Sequence, residues 1–206
     1  MEKAVMNFKN IKLMCATLLL LCANANATLM TFETRNIDET INKLDYAGSW
    51  LAQSSVINSA ELSDFTMIKS GKNRISHLQI DLSIDRDFSN WFFELGLDAG
   101  FGAAVYLDGN LVSNRTDDLW WGYNWNHSDV FSVALNGLTR QNQVVDIYWG
   151  ENCCNGASSI RFKNDLGQWG NLSSSNIANA SIPEPTSIVL ISMGLLGLVS
   201  RKRFSK

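Results

Sequence analysis

Eleven consecutive residues concentrate the chemistry of this chain: Asp117-Asp118-Leu119-Trp120-Trp121-Gly122-Tyr123-Asn124-Trp125-Asn126-His127. Aromatic rings stack on the C–H faces of sugars, while carboxylates and amides pair with hydroxyls. Asp117, Asp118, Trp120, Trp121, Tyr123 and Trp125 therefore form a candidate glycan platform. The same run also admits a structural reading, in which Trp120 and Trp125 cap a core and the two aspartates stand in solvent.

Other carboxylates admit other chemistry. Asp98, Asp108, Asp117, Asp118 and Asp129 could offer oxygens to calcium, a hard cation that gathers six or more such ligands from several loops. The chain has neither the spacing of an EF-hand nor an Asp-rich repeat, so a solvated acidic surface accounts for these residues better. Glu94 stands in an apolar run and could pair with a cation such as Arg161. A secreted polysaccharide hydrolase would need two facing carboxylates, for which Glu94 and Asp98 are the candidates. No nucleophile elbow, metalloprotease motif or phosphate-binding loop occurs, and a non-catalytic protein is the expectation.

The chain has four cysteines. Cys15 and Cys22 precede a cleavage-like Ala25-Asn26-Ala27, which leaves Cys153 and Cys154 in the exported protein. Neighbouring Cα atoms are about 3.8 Å apart, so a bond between these two closes a small ring and fixes the peptide between them. An oxidising compartment favours that vicinal disulfide. Buried free thiols and a bridge to another chain are the alternatives. A metal site finds only His77 and His127 as further soft ligands, at no recognisable spacing.

The elements that must position these groups lie between two processed ends. Lys3, Lys9 and Lys12 precede an apolar run from Leu13 to Cys22, and with Ala25-Asn26-Ala27 they read as a secretory signal peptide over residues 1–27. A lipoprotein signal at Cys22 fits less well because Leu21 is bulky. At the other end come Pro183-Glu184-Pro185, an uncharged apolar stretch from Thr186 to Ser200, and then Arg201-Lys202-Arg203 and Lys206. Proline breaks helices and sheet ladders, and a cation-closed apolar run suits a short membrane span with its basic end in the cytoplasm. A plain membrane anchor would share these features, except the Pro-Glu-Pro.

Removing both ends leaves 10 basic and 18 acidic residues in 28–182, a net charge of −8. That excess argues against nucleic acid and anionic lipid as partners. The remaining length suits one domain. Strand signals run through it at Phe65–Lys69, Ile75–Ile84, Trp91–Leu97, Ala103–Leu107, Leu111–Ser113, Val130–Leu135, Val144–Trp149 and Ser158–Phe162. Asp108-Gly109 marks a hairpin and Asn155-Gly156 a tight turn. One short helix is expected over Asn36–Leu44, with Asn36 as its N-cap and Asp38 and Glu39 in its first turn. The pattern predicts an all-β protein: a single antiparallel β-sandwich or jelly-roll-like domain over 28–171. Residues 172–182, rich in Ser, Asn and Ala, read as a flexible tether.

Three resemblances add to this reading. Pro183-Glu184-Pro185, the apolar span and the basic end resemble the PEP-CTERM sorting signal over 183–206. That resemblance implies a transient stay in the inner membrane of a Gram-negative bacterium, cleavage by an exosortase, and delivery to the cell surface or an exopolysaccharide matrix. Cys153-Cys154-Asn155-Gly156 is similar to the signature of a Cys-Cys-x-Gly subgroup of such proteins, which carries no known activity.

The third lies between Trp91 and Trp169. Trp91-Phe92-Phe93-Glu94-Leu95, Asp98-Ala99-Gly100 and Val105 to Val112 resemble the protective-antigen-type β-sandwich of bacterial glycosidases and yeast adhesins. Trp120 or Trp121, the turn Leu135-Asn136-Gly137, Val144 to Tyr148, and Gly156-Ala157-Ser158 before Ile160-Arg161-Phe162 follow in that family's order. The resemblance implies a calcium ion that helps to hold a sugar. This chain departs from the pattern, because the paired acidic residues usual before the glycine are here Asp98-Ala99. Asp98 and Asp108 remain as candidate calcium ligands, with no other cofactor implied.

Overall fold

Alternating inward side chains build most of the structure. The computed structural model describes residues 29–84, 89–164 and 167–181. The expected signal peptide and the sorting tail, with Pro183, Glu184 and Pro185, lie outside the described residues. The strands are β1 (Met30–Asn36), β2 (Asn58–Glu61), β3 (Ile68–Lys69), β4 (Arg74–Ser83), β5 (Ser89–Gly96), β6 (Asp98–Ala99), β7 (Gly102–Leu107), β8 (Asn110–Arg115), β9 (Leu119–Trp120), β10 (Phe131–Leu138), β11 (Asn142–Glu151), β12 (Ala157–Asn164) and β13 (Gly170–Asn171); the helices are α1 (Tyr46–Ala52) and α2 (Ser174–Ser181).

One sheet runs β2-β1-β4-β11-β7-β8 and the other β10-β5-β12-β13, with β3 also on β12 and a separate β6-β9 ribbon. Every pairing is antiparallel. The expected antiparallel β-sandwich is therefore present. Its core lies between the two sheets. Leu78, Ile80 and Leu82 of β4 and Val145, Ile147 and Trp149 of β11 meet Trp91, Phe93 and Leu95 of β5 and Phe162 of β12. Trp91 stacks on Phe162 with ring centres 5.3 Å apart. Burying rings of this size contributes about 2–3 kcal/mol each.

The Asp108-Gly109 hairpin forms as expected between β7 and β8. Both residues take positive φ, 49° and 75°, the backbone that matches the twist of paired strands in a two-residue turn.

Four expectations near the ends and turns are corrected. Asn36 does not cap a helix; it closes β1, which pairs with both β2 and β4. The helix starts ten residues later, where the Asp45 carboxylate accepts the Gly48 N–H at 2.8 Å. Asp38 and Glu39 instead donate their backbone N–H groups to the Gln53 side-chain oxygen, each at 2.8 Å. Phe65–Lys69 is a strand only at Ile68–Lys69, because Met67 has φ 57° and breaks the extension. Asn136-Gly137 is an irregularity inside β10 and not a turn between strands.

The fourth correction is larger. Residues 172–182 were expected as a tether, yet Leu172 and Ile177 are fully buried and α2 packs under β4. Leu172 donates to the Ile160 carbonyl and accepts from the Phe65 N–H, both at 2.8 Å. Small polar residues disguised a segment anchored by two apolar ones.

Candidate functional site

Strand parity divides the aromatic run. The β6-β9 ribbon pairs Asp98 with Trp120 and Ala99 with Leu119. Side chains alternate across a strand, so Leu119 and Trp121 turn inward while Trp120 turns out. Trp121 is only 3% exposed, and its indole N–H donates to the Ala157 carbonyl at 2.9 Å. Its ring lies flat over Gly96, where an added Cβ would come within 2.4 Å of it. Trp121 therefore leaves the glycan platform and joins the structure.

Trp120 is 40% exposed, with Tyr123 edge-on at 5.3 Å and itself exposed. Trp125 is half-buried between Trp121, at 4.7 Å, and the Arg161 guanidinium, at 4.6 Å. These contacts compete with a sugar for its ring. Asp117 is bound to Arg115, which holds its carboxyl below the usual range. Of the six expected platform residues, Asp118, Trp120 and Tyr123 keep an open surface.

Trp120 forms one wall of a cavity of about 390 Å³. Asp98, Asp118, Glu151 and Asn152 supply its polar lining, and Cys153, Cys154 and Gly156 complete it. Cys153 and Cys154 are joined as a vicinal disulfide with Cα atoms 3.7 Å apart. Glu151, at the end of β11, is 2% exposed. Its Oε1 accepts the N–H groups of Cys153 at 2.6 Å and Cys154 at 3.1 Å, and its Oε2 accepts that of Gly100 at 3.3 Å. One carboxylate thus pins the cysteine loop against the β6 turn.

Asp98 accepts the Gly156 N–H and pairs with Glu151. Burial first, then the neighbouring Glu151 charge, pushes its carboxyl up to about 6 from 3.8, against the pull of the Gly156 N–H. Gly156 is tightly enclosed, since a Cβ there would lie 2.5 Å from the Trp120 ring and 2.6 Å from Asp98.

The two candidate calcium ligands are not brought together. Asp108 accepts the Val144 N–H at 2.8 Å and the Gln143 amide at 3.2 Å. Asp98 instead adjoins Glu151, seven residues along β11 from Val144, or about 23 Å of extended strand. Among the described residues no three His, Cys, Asp or Glu side chains gather as a metal would require.

Glu94 and Asp98 do not face one another either. Glu94 accepts from Arg161 at 2.5 Å, opposite it on β12, as its apolar surroundings led one to expect. Glu151 and Asn152 escaped the sequence reading. The available signal was a lone acid closing a run of buried β positions just before Cys-Cys.

The fold is an antiparallel β-sandwich similar to that of PA14 domains. Among solved structures the chain is similar to the PA14 sugar-binding domain from an RTX adhesin, at 10% identity and TM-score 0.53, covering 72% of this chain and 97% of that one. It is also similar to an anti-sigma factor domain-containing protein, at 8% identity and TM-score 0.50, covering 75% and 48%. A third is the PA14 domain of the antifreeze protein MpAFP, at 12% identity and TM-score 0.48, covering 71% and 89%. Residues 181–203 match the PEP-CTERM protein-sorting motif. No curated protein matches the chain. The chain is thus an antiparallel β-sandwich similar in fold to PA14 domains, followed by a PEP-CTERM sorting motif, which implies export.

Proposed function

We propose that this is a non-catalytic surface or extracellular-matrix protein, sorted by an exosortase in a Gram-negative bacterium, whose sandwich binds exopolysaccharide or another glycan. The observation that carries the reading is the cavity beside Trp120: an exposed ring, carboxylates and an amide around a space large enough for one or two sugar units. The RTX adhesin domain that the sandwich resembles is a sugar-binding one, which agrees with this reading. Trp120 offers the stacking face, Asp118 and Asn152 meet hydroxyls, and the disulfide gives an apolar floor. Asp98 and Glu151 hold the loops in place.

A hydrolase is less well supported. The Glu151 oxygens are occupied by three backbone donors, so an acid and base pair in the cavity would have to be made from Asp98 and the solvent-exposed Asp118.

A glycan array with the purified protein and its Trp120→Ala variant tests the binding reading. Binding by the wild type that disappears in a folded Trp120→Ala protein supports it. Unchanged binding by the variant, or none by the wild type, overturns it. Sorting is tested separately: exported protein should lack the peptide Arg201 to Lys206, and recovery of that peptide from exported material refutes cleavage.

A further inference from the structure

We infer that the cavity beside Trp120 takes a sugar carrying a free amine, an amino sugar that is not N-acylated, and holds it without calcium. This rests on the glycan reading of the cavity. Charge balance is the first argument. Three carboxylates, Asp98, Asp118 and Glu151, line one space, and among the described residues no lysine, arginine or histidine lines it with them. A ligand bearing positive charge supplies what the wall lacks.

The second argument is which oxygens remain free. Glu151 is committed to the N–H groups of Gly100, Cys153 and Cys154, and one Asp98 oxygen to that of Gly156. Calcium needs six to eight oxygens at about 2.3–2.6 Å, and the described residues hold no such cluster. Ala99, next to Asp98, is fully buried and offers no side-chain oxygen. An ammonium group asks for less: two or three acceptors spread around a tetrahedral head. Asp118 is exposed, with no hydrogen bond to its carboxylate among the described residues, and Asp98, already bonded to Gly156 and Glu151, adds negative charge to the same space.

The third argument is shape. Trp120 presents a ring face, and an exposed ring suits the C–H face of a pyranose while also attracting a nearby cation. A small free cation would use the carboxylates alone, whereas an amino sugar uses both walls.

The test compares the β-1,4-linked glucosamine tetramer with its fully N-acetylated counterpart, by calorimetry on the purified protein with and without EDTA. The free amine form should bind about tenfold more tightly or better, as expected for a charge-assisted contact, and EDTA should change nothing. Asp118→Asn should weaken the amine form by about tenfold and so remove most of its advantage over the acetylated form. Equal affinity for the two tetramers overturns the inference and leaves the glycan reading standing. Loss of binding in EDTA overturns it as well. If the amine tetramer fails while other glycans bind on the array, the ligand class is wrong; if nothing on the array binds, the glycan reading falls and this inference with it.

Discussion

Asp98→Asn should make the protein more stable at neutral pH and flatten its response to acid. Asp98 carries its proton up to about pH 6, against an ordinary value of 3.8. Between those values the folded state holds a proton that the unfolded state has lost, so stability must fall as pH rises through this window and level off above it. A shift of about two units corresponds to roughly 3 kcal/mol. Water in the open cavity screens the carboxyl, which reduces the expected penalty to about 1–2 kcal/mol. Asparagine cannot ionise, its oxygen can accept the Gly156 N–H, and its NH₂ can donate to Glu151. Urea unfolding of both proteins at intervals from pH 4 to 8 gives the difference curve. Taking the difference removes the contribution of Asp117, whose lowered pKa acts in the opposite direction. Wild type and variant should nearly coincide at pH 4, with the variant ahead by about 1–2 kcal/mol above pH 6. A flat difference, or one favouring the wild type at high pH, would refute the buried-pair account.

The neighbouring tryptophans should separate cleanly: Trp121→Ala costs about 3–5 kcal/mol in urea unfolding, whereas Trp120→Ala costs under about 1 kcal/mol and removes glycan binding. Replacing Cys153 and Cys154 together by serine should cost only about 1 kcal/mol in the same assay, because the closed loop is minimal, yet weaken glycan binding several-fold by loosening the N–H groups that grip Glu151. Leu172→Ala and Ile177→Ala should each cost about 2–4 kcal/mol by thermal or urea unfolding; a loss below about 0.5 kcal/mol would restore the tether.

Strands with large inward residues could be read from the chain directly. In β4, Leu78, Ile80 and Leu82 alternate with His77, Gln79 and Asp81, and both faces announce themselves. β1 has the same period, but only Met30 and Phe32 are large and apolar, so its place was settled by pairing with β2 and β4, partners that local pattern does not reveal. The site divides in the same way. The aromatic run pointed to the right loop, but its adjacent indoles are equivalent until the register of Asp98 with Trp120 assigns one to solvent and the other to Gly96. The Asp98–Glu151 pair joins residues from separate strands, and no spacing rule connects them. The vicinal disulfide needed only compartment and adjacency, and both were written in the chain.

The position of Ile177 also couples two processes that are usually kept apart. Its side chain closes the floor of the core, and the sorting motif begins at 181, where α2 ends. Ala180, immediately before it, still packs against the core, so no spacer separates the last core contact from the motif. A pull on the motif would bear directly on α2 and, through it, on the buried Ile177. Under the proposed sorting, this geometry favours closing the domain before the tail is handled.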